Sequence, residues 1–102
     1  MIDWARVADL REDLGDDEFA PVLELFLDEV ETTLMRLDPA DGARLADDLH
    51  AMKGAAANLG FADFAALCDA GAGVGALNDC YTMSKRALVG GLARMGAVAR
   101  VV

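Results

Sequence analysis

Apolar residues return at helical spacing through most of the chain. In the stretch Leu45 to Gly60, LADDLHAMKGAAANLG, residues Leu45, Leu49, Met52, Ala56 and Leu59 follow one another at steps of four, three, four and three. That spacing lines them along one seam of an α-helix, the side that turns to a core. A longer stripe, Phe19, Val22, Leu23, Phe26, Val30, Leu34 and Leu37, predicts a helix starting at Asp16. Leu25 and Leu27 are expected to widen its apolar face, with Asp28, Glu29 and Glu31 on the wet side. Asp16, Asp17 and Glu18 suit the positive end of that helix, and Pro21 is expected in or near its first turn, where amides lack intrahelical partners.

The remaining segments are shorter. Ile2 to Leu14 carries Ile2, Trp4, Val7, Leu10 and Leu14 at loosely helical spacing, with Asp3 as N-cap and Gly15 as stop, and predicts a lid helix across the end of a longer bundle with Trp4 as a core anchor. Asp38-Pro39-Ala40-Asp41-Gly42 reads as a turn joining antiparallel neighbours. From there the central helix runs from about Ala43 to Asn58. Phe61 to about Ala70 predicts a further helix with Phe61, Phe64, Ala65, Leu67 and Cys68 inward, and Gly71 to Gly75 reads as a loop. Asn78 or Asp79 would cap a last helix whose core face is Met83 or Ala87, Leu88, Leu92, Met95 and Val98, reaching about Arg100, with Gly90-Gly91 allowing close packing. No strand-like alternation interrupts this series. The predicted architecture is all-α, an antiparallel up-down four-helix bundle with a short N-terminal lid helix.

Composition narrows the setting. A chain of 102 residues is expected to form one domain spanning 1–102, and 55% hydrophobic content with two prolines suits a compact soluble fold. No apolar run reaches the 18 or so residues of a membrane span, and the N-terminal MIDWARVADLRED lacks a basic-then-apolar leader, so a cytoplasmic location is expected. Residues 1–48 hold 15 acids against 4 bases, while residues 49–102 hold 3 against 5. The acidic half argues against nucleic acid or an anionic membrane as partner, since both demand clustered Lys and Arg. Cys68 and Cys80, twelve apart with a single histidine in the chain, make neither a zinc site nor a CxxC redox pair and are read as structural thiols.

The candidate chemistry sits on the central helix. His50 lies about 100° round from Leu49, off the apolar seam, on the face shared with Ala46, Lys53, Gly54 and Ala57. Gly54 at i+4 has no side chain, at a cost of about 0.8–1.0 kcal/mol relative to Ala within a helix, which close approach of a partner would justify. Lys53 at i+3 offers an ammonium to an anionic group carried by the imidazole. Asp47 at i−3 is within reach of the ring, although an exposed helical Asp usually has no role.

His50-Ala51-Met52-Lys53-Gly54-Ala55-Ala56, closing with Leu59-Gly60, resembles the signature of histidine-containing phosphotransfer domains. The family's usual hydroxyl residue after Lys-Gly is Ala55 here. The resemblance implies a small helical bundle that carries a phosphoryl group on His50, with Lys53 stabilising it and Gly54, Ala46 and Ala57 on the partner-binding face. It implies receiver domains of response regulators as partners, together with a hybrid sensor histidine kinase, and a monomer without kinase activity of its own. No cofactor or metal is expected on this chain, the magnesium of such transfers belonging to the receiver. A non-catalytic helical-bundle module that docks receivers is the alternative. The dimerisation domain of a sensor kinase fits less well, because Ala51 rather than an acid follows His50 and no proline comes after it.

Overall fold

The structure, a computed structural model, describes residues 2–94. Five helices follow in order: α1 (Trp4–Leu14), α2 (Asp16–Arg36), α3 (Gly42–Asn58), α4 (Ala62–Asp69) and α5 (Val74–Arg94). Among the described residues there is no strand, only an isolated antiparallel bridge between Ile2 and Phe61. Asp3 caps α1 as predicted, accepting from the Arg6 amide, and Asp41, read from the sequence only as part of a turn, caps α3 by accepting from the Arg44 amide, each satisfying an orphan donor.

The neighbour relations run α2 to α3, α3 to α4, α4 to α5 and α5 back to α2, which closes four helices into a ring around one core, while α1 lies against α2 and α3. Phe19, Leu23, Leu27, Val30 and Leu34 of α2 meet Met52, Ala55, Ala56 and Leu59 at its centre. Tyr81 of α5 stands edge-on to Phe61 and Phe64, with ring centroids 6.0 and 5.8 Å away. Its hydroxyl donates to Glu31, which also accepts from Lys85 Nζ at 3.0 Å, so a polar clasp joins α2 to α5 at the rim.

A second clasp joins α2 to α3. Asp48, which patterning alone would leave in solvent, is 6% exposed and accepts from Arg36 Nη2 at 3.1 Å. Its other oxygen lies 3.8 Å from Arg44 Nε, an electrostatic pairing too long for a hydrogen bond. At the opposite end of α3, Asp3 N donates to Gly60 O at 2.7 Å. Gly60 has φ +74°, and a Cβ there would lie 2.6 Å from the Asp3 carbonyl oxygen, so both backbone sign and clearance require glycine.

Several expectations are corrected. Leu25 is 65% exposed rather than part of the apolar face, because the stripe on α2 runs through Leu23, Leu27, Val30 and Leu34, a helical seam that leaves Leu25 on the wrong side. Pro21 stands in the second turn, where its missing N–H leaves the Asp17 carbonyl without a helical donor, on an exposed surface where water can replace it. The last helix begins at Val74, not at a cap on Asn78 or Asp79, and Gly75 lies inside it. Leu77, Tyr81, Ser84, Leu88 and Leu92 form its buried seam, and Met83 is exposed. Met95, Val98 and the predicted end near Arg100 lie outside the described residues. Trp4 is a partial anchor: 36% exposed, its indole covers Gly91, where any Cβ would collide with the ring.

Candidate functional site

The seam of α3 fixes which way His50 points. Met52, Ala56 and Leu59 are buried, with Leu45 and Leu49 half-buried, and the Asp48 clasp holds the helix against α2. His50 is thereby turned to solvent in the middle of α3, with Ala46, Gly54 and Ala57 exposed along the same surface. No atom outside the local backbone lies within 4 Å of where a Gly54 Cβ would stand, so internal packing does not require this glycine. The open space is on the outside of the protein.

On one flank of His50 the surface dips into a cleft of about 250 Å³ between α3 and the end of α4, lined by Ala46, Leu49, His50, Lys53, Cys68, Asp69 and Gly71. Ala46, His50 and Lys53 line this cleft together, while Gly54 and Ala57 lie outside it. Asp47 is exposed and, at about 120° from Lys53 around the imidazole, faces the other flank.

Lys53 is half-buried, and its Nζ donates to Asp69 Oδ1 at 2.7 Å. That hydrogen bond and the ammonium charge hold the Asp69 carboxyl below its ordinary range. Asp69 was not legible as a site residue: it lies 16 positions from Lys53, on another helix, and only the packing of α4 on α3 brings it into the cleft. Beneath it, Cys68 is a free thiol pushed up to about 11 by burial, with Cys80 adding to the effect, which makes it an inert structural thiol. Cys80 is also free and half-buried.

A larger cavity of about 620 Å³ lies away from His50, beside Tyr81, Lys85, Arg86 and Gly90. Its Lys85 is paired with Glu31, and Glu31 also takes the Tyr81 hydroxyl. It offers no free nucleophile comparable to an exposed imidazole. Among the described residues no group of three or more His, Cys, Asp or Glu is placed to hold a metal ion, and no helix is long and apolar enough to cross a membrane.

An exposed imidazole, an ammonium one helical turn away and a bare helix surface place a nitrogen nucleophile beside a cation with room on the solvent side, an arrangement chemically able to act on an anionic group. No curated protein and no solved structure matches the chain significantly. The Hpt domain model matches residues 21–71, half of the chain, taking in most of α2, all of α3 and α4 and the cleft between them. The chain therefore belongs to the Hpt domain family, the histidine phosphotransfer modules of phosphorelays.

Proposed function

We propose that His50 accepts a phosphoryl group from the phospho-aspartate of a response-regulator receiver domain and passes it to the aspartate of another. The observation that carries this reading is the position of His50, exposed on a helix whose opposite side is locked into the core, with Lys53 one turn away in the same cleft. A ring nitrogen lone pair, assigned to Nε2, attacks phosphorus as the acyl P–O bond breaks. The electron pair leaves with the carboxylate, an N–P bond forms, and the proton on the other ring nitrogen stays until solvent removes it. Return to a second aspartate is the same displacement in reverse.

Lys53 offsets charge on the phosphoryl oxygens, and Gly54, with Ala46 and Ala57, gives the receiver clearance. The magnesium that neutralises the transferring group belongs to the receiver. In this reading α2 to α5 run up and down as an antiparallel bundle capped by α1. The protein works as a cytoplasmic monomeric carrier without kinase activity, in partnership with receivers and a hybrid sensor kinase, and its acidic half disfavours nucleic acid and anionic membrane.

The test is incubation with a receiver domain labelled on its aspartate. Label should move to this chain in a form stable to base and labile to acid. A chain that binds the receiver yet never takes label would instead be a docking module without chemistry.

A further inference from the structure

Among the described residues, Lys53 and Asp69 are the only Lys, Arg, Asp or Glu side chains that line the cleft with His50. Their ion pair is not buried: 44% of the lysine side chain and 68% of the aspartate side chain remain exposed. Such a pair is held weakly and exchanges partners easily. Asp69 is also the last residue of α4, where the carbonyl ends of the helix present partial negative charge and an acidic side chain is disfavoured. The α4 wall of the cleft is therefore negative twice over, through the carboxylate and through the helix terminus. A phosphoryl group on His50 would enter opposite that wall and compete with Asp69 for one ammonium.

We propose that Asp69 is a positioning residue that divides the Lys53 ammonium between itself and the phosphoryl group, and so keeps phospho-His50 a ready donor. This rests on His50 being the acceptor. An ammonium devoted wholly to the phosphoryl oxygens would stabilise the loaded state and slow its onward transfer. Sharing it with Asp69 weakens that grip. Lys53 has three donor hydrogens, so one can remain on Asp69 while the others turn to the phosphoryl group.

The experiment mixes the full chain with a magnesium-loaded receiver domain phosphorylated by acetyl phosphate. It reads the equilibrium partition of label between the two proteins and the ³¹P titration midpoint of the phosphoryl group on His50. The proteins are the parent, Asp69→Asn, Asp69→Glu, Lys53→Ala and the double variant Lys53→Ala with Asp69→Asn. Asp69→Asn should move the partition roughly two- to fivefold toward His50, the size of one exposed ion pair, and lower the phosphoryl titration midpoint. Asp69→Glu, which keeps the charge, should lie closer to the parent. In the Lys53→Ala background the same Asp69→Asn change should have less than half its effect on a logarithmic scale, because the contact it acts through is gone. An unshifted partition, a shift toward the receiver, or equal shifts in both backgrounds would overturn the proposal. A parent that takes no label at all defeats the phosphotransfer reading itself, a result separable from a labelled parent with an unmoved Asp69→Asn variant.

Discussion

His50→Gln removes the nucleophile without opening a cavity, because the side chain is exposed and its helix is held by residues on the opposite seam. It should abolish acid-labile labelling while leaving the circular-dichroism spectrum and melting temperature at parental values; a variant that still takes label sinks the assignment. Gly54→Gln separates stability from docking in the other direction. With nothing near a new Cβ, the substitution should stabilise the helix by roughly 0.5–1 kcal/mol, yet slow transfer from the receiver. Unaltered transfer would show that the partner approaches elsewhere. His50, Lys53 and Gly54 were legible in the sequence because they stand at i, i+3 and i+4 of one helix, where neighbours in space are neighbours in the chain. Asp69 and the burial of Asp48 were not, since each depends on which helix packs alongside, and an acidic residue among polar neighbours reads as a wet one.

Between elements, the two polar clasps carry separate expectations. Asp48→Ala should cost about 1–3 kcal/mol, because it leaves Arg36 and Arg44 without the carboxylate that ties α2 to α3, and denaturant titration against the parent measures this directly. A loss within error would make the clasp ornamental to the fold. For the α2–α5 clasp, burial pushes the Glu31 carboxyl up, but hydrogen bonds from Tyr81 and Lys85 with the lysine charge more than offset it, so its pKa is lowered. A group depressed in the folded state contributes stability above its unfolded value, here 4.5, and that stability fades as pH falls through the folded value. Glu31→Gln should therefore flatten the decline in melting temperature below about pH 4.5, and parallel acid profiles would show that the clasp adds nothing. The start of α5 shows why this edge was hard to read. Gly71, Gly73 and Gly75 argue locally for a loop, but burial of Leu77 and Tyr81 against the rest of the core draws the helix back to Val74. The polar Ser84 within the same seam broke the apolar pattern and left Met83 as the wrong candidate. α2 and α3 suffered less because their apolar periodicity is long enough to outweigh such interruptions.

For the molecule as a whole, closure of α2 to α5 into a ring gives α3 neighbours that resist its rotation, and the proposed acceptor role of His50 would need that fixity more than it needs depth. The helix α1 stands outside the ring. It is tied by the Asp3–Gly60 backbone bond, by Arg6 Nη2 donating to Asn58 at 2.9 Å, and by the Trp4 indole lying over Gly91. That last contact makes the chain's single tryptophan an optical reporter, because an indole seated on a glycine of α5 changes its solvation when α1 lifts away. In rising urea its fluorescence should redden before helical ellipticity falls, as expected of a short peripheral helix with few buried residues. Coincident transitions would instead join α1 to the cooperative core. Because the indole is carried by α1 and the imidazole by α3, detachment of α1 is read by a chromophore that lies outside the His50 cleft, so its emission can be followed without altering a residue of that cleft.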